Sequence, residues 1–499
     1  MSGRLHRVWL LGAVVIGMLA GQAVAGDVAR LEAQLAAQQQ KIDALEQQVA
    51  AAAQQDVDRA RTEEMKQQIR EVLGEQAFRE SLMGSTMQAG YDNGFYIKSA
   101  DEKFKMKFNG LIQFRWTHYG TRSNNRYLAP GFRRDDRTGF DGARIRFKVS
   151  GHAYTKDLTY LMELDMSQGS AYDVRVNYAW VNYRFMDEFQ VMAGVFRTGS
   201  TRADVESTAT MQFCEYPVMN AVFGLTRGTG VRFWGNLLDG KGMYQLDIMN
   251  SLNTPATRTI VNDEDLYASG HDNNPALVFR TVWAVLGGHC LHPDDAGKWT
   301  APCDMAIHDQ PALNVGMHYA FNEDEHDGTL NIPFPRKTFF RQGGFGLTSS
   351  EGLQIHQFGV DAGFKYMGFS ATAEYVFRTL DVRNADKAPF TPLFLMTGDG
   401  STNTQHGAYV QCGYMLPIPG WERKFEIVGR VGGISALSGG QEGTWTYAGG
   451  LNYYIEGHNV KLQTDVTKVT EVPISSSGYS LANVNDDALI WRVQLQVAF

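Results

Sequence analysis

From about residue 95 to the end, apolar and polar residues alternate with a period of two over many separate runs. That period sorts the two sets onto opposite faces of β-strands. The last run, LIWRVQLQVAF, is the clearest. Leu489, Trp491, Val493, Leu495, Val497 and Phe499 fall on one face, and Ile490, Arg492, Gln494, Gln496 and Ala498 on the other. FNGLIQFRWTHY, GARIRFKVSGHAY, LTYLMELDM, ALNVGMHYAF, FGVDAGFKY, FSATAEYVFR, AYVQCGYML and VKLQTDVTKV are also strand-like. Some intervals between strands are short, such as KYMGFS and PIPGWERK, and others are long and glycine-rich. In a soluble sandwich the apolar face would meet a core. In an outer-membrane barrel it would meet lipid, and the polar face a wet lumen. Ile145, Phe147 and Val149, then Leu158, Tyr160, Met162, Leu164 and Met166, make apolar bands suited to lipid. Closure into a barrel would also remove exposed strand edges.

Residues 27 to about 80 follow another period. Val28, Leu31, Leu35, Gln38, Ile42, Leu45, Val49 and Ala52 repeat at alternating spacings of three and four, with Met65, Ile69 and Val72 resuming later. This is the a/d seam of a short coiled coil, which implies self-association. The first 25 residues read as a secretory signal. Arg4, His6 and Arg7 precede the apolar WLLGAVVIGMLAG, and Ala23-Val24-Ala25 supplies the cleavage site. The expected organisation is a signal peptide over 1–25, a periplasmic coiled-coil segment over 26–85, and an all-β membrane domain over 95–499.

Composition sharpens this reading. The 52 glycines and 12% aromatics against 14 prolines suit many strands with tight turns and aromatic girdles. A net charge of −8 gives nucleic-acid binding no general electrostatic support. Cys290 and Cys303, in the turn-rich GGHCLHPDDAGKWTAPCD, are spaced to close one external loop as a disulfide. His289 and His292 flank Cys290, but no recognised metal-ligand spacing is present, and no metal or cofactor is expected. There is no G-x-S-x-G, Walker loop or H-E-x-x-H, so no enzyme is expected.

Several segments resemble the phosphate-selective porin O and P family of Gram-negative outer-membrane channels. They are DGARIRFKVSGHAYTKDLTYLMELDM, YAWVNYRF with FQVMAGVFRTGSTRADVES, GLTRGTGVRFWG, GGLNYYIEGHNVKLQTDVTKV and RVQLQVAF, in the family's order. The family's usual Lys-Thr-Pro is replaced by Arg197-Thr198-Gly199. The resemblance implies a sixteen-stranded antiparallel transmembrane barrel, assembled as a homotrimer in the cell outer membrane. It also implies contact with outer-membrane lipids, and a terminal aromatic read by the assembly machinery. The coiled coil would then join three chains in the periplasm.

If the apolar set faces lipid, the other set lines the channel. Arg115, Arg144, Arg146, Lys148, Arg232, Arg280, Lys365, Arg378, Arg430, Lys461 and Arg492 would point inward, with Glu163, Asp165, Asp247, Asp361, Glu374, Glu426 and Asp465. The excess of bases favours small anions such as phosphate. We expect about two in three of these bases to sit in wall ion pairs, given how readily charges in a wet interior pair. Glu374 with Arg378, and Glu426 with Arg430, are candidates for such pairs. As in the family, an inward-folded loop would form the constriction. The two candidates are the stretch holding Arg197 and Arg202, and the loop around Arg133, Arg134 and Arg137. The expected function is a porin for passive diffusion of small, preferably anionic, solutes. The competing functions are an envelope anchor contacting the cell wall through the coiled coil, and a non-selective or sugar-type porin. In the latter, the aromatic stretch around Trp180 and Tyr183 would offer a sliding surface.

Overall fold

The computed structural model describes residues 35–46, 63–67, 87–122, 136–166, 174–225, 227–250, 275–287, 301–324, 353–382, 402–436, 442–473 and 487–499. In the first unit, residues 35–46 and 63–67 are helical, as their period predicts. The seam residues Leu35, Ile42, Leu45 and Met65 are all exposed on the single chain. The signal segment and the remaining seam positions lie outside the described residues.

The alternating region forms strands. β1 (Gln88–Tyr91) and β2 (Phe95–Lys98) make a short hairpin. Sixteen strands follow: β3 (Lys105–Arg122), β4 (Arg137–Ala153), β5 (Thr155–Asp165), β6 (Arg175–Met186), β7 (Phe189–Arg197), β8 (Arg227–Leu237), β9 (Gly242–Met249), β10 (Ala276–Leu286), β11 (Ala312–Asp324), β12 (Leu353–Tyr366), β13 (Phe369–Val382), β14 (Thr402–Met415), β15 (Phe425–Ile434), β16 (Thr444–Glu456), β17 (Val460–Thr470) and β18 (Asp487–Ala498). Each pairs antiparallel with the next, and β18 returns to β3, from Asp487 opposite Arg122 to Ala498 opposite Leu111. The sheet is therefore a closed sixteen-stranded barrel.

The opening alternation holds. Leu489, Trp491, Leu495 and Val497 are 37–53% exposed on the outer wall and Val493 is half-buried, while Ile490, Arg492, Gln494 and Gln496 are at most 1% exposed inside. The terminal Phe499 is fixed where β18 ends: its backbone exchanges hydrogen bonds with Gly110 at 2.8 and 3.1 Å. The β1–β2 hairpin takes over the same edge of β3 from there, with Phe95 opposite Phe108.

One rim carries short turns. Met367 and Gly368, between β12 and β13, both have positive φ (49° and 80°), the backbone that suits a two-residue hairpin turn. By the usual polarity of such barrels this rim is periplasmic. The connection between β10 and β11, residues 287–311, is long for this rim. At the opposite rim, the connection between β7 and β8 does not stay outside. Its described residues, 198–225, fold into the lumen and include two short helices, Arg202–Val205 and Val218–Phe223. Thr201 caps the first, accepting from the Asp204 amide at 3.1 Å.

Candidate functional site

The inward loop meets donors from nearly every side of the wall. From β3 and β4, Arg115 and Arg144 clamp the Glu215 carboxylate at 3.1 and 2.9 Å, and both reach the carbonyl of Cys214. Arg280 donates to the carbonyl of Ser200 at 2.9 Å and pairs with Asp361 at 2.7 Å. Arg378 donates to the carbonyl of Val222, Gln357 to Phe223, Lys461 to Met211 and Arg430 to Glu215. Gln463 and Asn452 share the carbonyl of Gln212, and Gln496 takes that of Ala209. The loop reciprocates. The Arg202 guanidinium reaches Asp361 and Asn314, its backbone amide donates to Glu374, and the amide of Cys214 donates to Asp465. Two wall glycines make room for this approach. A Cβ on Gly363 would collide with the Arg202 guanidinium, and one on Gly413 with the Gln212 amide. Within the loop, burial pushes the Asp204 and Glu206 carboxyls above the usual carboxylate range, against the pull of Arg197 and Arg202 respectively.

All eleven predicted inward bases do face inward, but they do different things. Arg115, Arg144, Arg280, Arg378, Arg430 and Lys461 hold the loop, as above. Arg232 pairs with Asp247 at 2.6 Å, and Arg492 with Asp465 at 3.2 Å. Lys365 is 4% exposed on β12. Arg146 reaches Asp165 at 3.1 Å, Glu163 at 3.7 Å and Thr208 at 2.9 Å. Lys148 has no partner among the described residues. Two expected wall pairs do not form. Glu374 accepts from the loop while Arg378 bonds Gln405, and Glu426 accepts from Tyr454 and Asn452 while Arg430 bonds Gln411. The loop and the neighbouring strands offer nearer partners than the same strand does.

Of the two constriction candidates, the stretch with Arg197 and Arg202 is the one seen in the lumen; Arg133 and Arg134 lie outside the described residues. Trp180 faces the lumen, but Tyr183 is on the outer wall, where it meets Phe185 edge-on. Cys303 is a free thiol, 3.2 Å from His458 Nε2, and Cys290 lies outside the described residues.

Beside β4 to β6 the lumen is less filled, and an electropositive group collects there. Arg197 donates to the carbonyls of Asp204 and Glu206 and to the Tyr216 hydroxyl, with the Asp204 carboxylate in electrostatic reach. The Arg227 guanidinium lies over the Tyr178 ring, 4.9 Å from its centroid, and its Nε has no hydrogen-bond partner among the described residues. The same tyrosine is within electrostatic reach of Arg197, Arg146 and Glu163. Sequence reading missed Arg227, Tyr178 and Tyr216. Arg227 sits where a strand begins, so alternation does not assign it to the lumen.

The family model described as phosphate-selective porin O and P matches residues 123–499. The chain belongs to that family. It is an outer-membrane porin, a passive water-filled channel and not an enzyme. Solved structures similar to it include an anion-selective porin from Comamonas acidovorans, at 9% identity and TM-score 0.49 over 79% of this chain and 99% of that one. The outer-membrane channel DcaP of Acinetobacter baumannii is similar at 11% identity and TM-score 0.47, over 83% of this chain and 100% of that one. Salmonella typhi OmpF is similar at 12% identity and TM-score 0.47, with the same coverage. No curated protein matches the chain.

Proposed function

We propose that the porin passes small inorganic anions, phosphate among them, beside β4 to β6 and past Arg227. One observation carries this reading. The half-buried Arg227 guanidinium lies over the Tyr178 ring with no ion-pair partner among the described residues, next to Arg197. A guanidinium can bond two oxygens of one anion, which suits a phosphate stepping through. Lys148, without a partner among the described residues, extends the favourable field towards the short-turn rim. The working unit is a homotrimer, set in outer-membrane lipid through its apolar wall. The exposed seam of Leu35, Ile42 and Leu45 joins the three chains as a periplasmic coiled coil, from which cell-wall contact can follow.

The test is the reversal potential of the purified porin in a planar bilayer under a KCl gradient, with and without phosphate. The wild type should favour chloride and lose current when phosphate is added. Arg227→Gln should weaken phosphate block about five-fold, since one charge about 4 Å away in water is worth about 1 kcal/mol. Cation preference in the wild type, or unchanged block in the variant, refutes the reading.

A further inference from the structure

The connection between β10 and β11 is long where short turns are the rule, and its described part leaves the rim and enters the barrel. Ala301, Cys303 and Asp304 are 5%, 2% and 0% exposed. Four inward side chains from four strands surround the Cys303 thiol: Lys365, Glu426, Tyr454 and Lys461. The segment is anchored at two places on the mouth. Asp304 accepts from the Gly368 amide at 2.8 Å and from the His308 amide and ring, and the carbonyl of His308 accepts from the Met367 amide at 2.8 Å. Four strands further along the same rim, Cys303 Sγ meets His458 in the turn between β16 and β17.

The segment and the inward loop meet on the same side chains. Lys461 donates to Met211 of the loop at 2.7 Å, and Glu426 accepts from Gln212, while both flank Cys303 from the other side. Along β15 to β17 the lumen is thus filled from both rims. We propose that residues 301–308 are a fixed wedge that closes the short-turn mouth below β12 to β17, and that this wedge confines permeating solutes to the side lined by β4 to β6. The function of the wedge is steric, so it stands or falls independently of the anion preference. A polar, hydrogen-bonded filling is needed here because the wall it meets is charged. An apolar residue at 304 would leave the buried Gly368 amide without its acceptor.

The experiment reads single-channel conductance and the size limit for neutral polyethylene glycols in Asp304→Ala. That change removes the acceptor for two backbone amides and the His308 ring. Conductance should rise about two-fold, and larger polymers should enter, as a second aqueous path opens beside the first. Displacement is checked with a methanethiosulfonate reagent in a Cys290→Ala, Cys412→Ala background, in which the other remaining thiol, Cys214, is buried. Burial and the Glu426 carboxylate push the Cys303 thiol up to about 12, so at pH 8 it stays unmodified in the wild type and becomes modified once the wedge lifts. A modified Cys303 with unchanged conductance and size limit overturns the proposal. Should the alanine variant fail to assemble, Asp304→Asn keeps the side-chain volume and one acceptor, with the same expected direction. Finally, His458→Cys allows a disulfide to Cys303. Its conductance should match the wild type whether oxidised or reduced. A rise on reduction would make the segment a moving gate and overturn the fixed wedge.

Discussion

The two sides of the lumen carry the same kinds of residues in different conditions. On β10 to β18, Arg280, Glu426 and Lys461 are 0% exposed, and Arg492 and Gln463 are 1% exposed. On β4 to β6, Arg146, Lys148, Glu163, Tyr178 and Trp180 remain partly open. Both walls follow the same alternation, and both place bases inward. The difference lies in what those bases face. On the first side they face loop carbonyls and acids at hydrogen-bond distance; on the second Arg146 keeps Asp165, Glu163 and Thr208 of the loop but stays partly open, and Lys148 has no partner among the described residues. An inward charge is therefore part of a selectivity field only where no loop has already neutralised or covered it.

The largest test of this contrast is Asp361→Ala. Asp361 receives both Arg202 of the loop and Arg280 of the wall, with its side chain fully buried. Its removal strands the buried Arg280 and leaves Arg202 with Glu206 as its acid, which should cost about 3–5 kcal/mol. The measurement is the urea midpoint of the heat-modifiable gel shift. Glu163→Gln on the open side removes a carboxylate 3.7 Å from Arg146, which keeps Asp165, and should cost less than about 1 kcal/mol. Equal losses from the two variants would abolish the distinction.

Glu215→Gln comes next, because it acts at the border. Glu215 is the acid that occupies Arg115 and Arg144. Losing its charge should cost about 2 kcal/mol of loop attachment, the scale of a hydrogen bond to a charged group. It should also leave the Arg144 guanidinium without an acid among the described residues, Arg115 keeping Asp141 at 3.3 Å, and move the reversal potential further towards chloride. A shift towards potassium would mean that the loop's position, and not its charge balance, governs selectivity.

The wall was legible from sequence and the filling was not. Period-two alternation places every side chain from Leu489 to Val497 on its correct face, since one buried and one lipid-facing side fix the register. It placed all eleven bases inward for the same reason. What alternation cannot give is the partner of an inward group, because that partner comes from an irregular loop with no period. Arg378 and Glu374 look like a same-strand pair at a spacing of four, yet each bonds elsewhere: Arg378 with Val222, Glu374 with Arg202. Arg197 and Arg227 sit at strand ends, where alternation stops being informative. The stretch around Cys303 reads as a polar loop by composition, although the structure buries it among charges from four strands.

The smallest expected effect is also the most even-handed comparison, because it removes one positive charge from each side. Lys148 on β4 has no partner among the described residues, whereas Arg378 on β13 is bonded to Gln405 and the Val222 carbonyl, and stacks on Phe223 at 4.8 Å. Neither base is held by an acid, so each glutamine variant changes the lumen charge by the same amount. If the field felt by a permeating ion is set by the open side, Lys148→Gln should lower the chloride-to-potassium permeability ratio modestly, by a factor of about two at low ionic strength. The effect should fade near 1 M salt, where the screening length is about 3 Å. Arg378→Gln should leave the ratio unchanged while lowering stability, since it uncovers the carbonyl of Val222. Matching shifts in the ratio from the two variants would mean that ions sample both sides of the lumen, and that the packed side conducts.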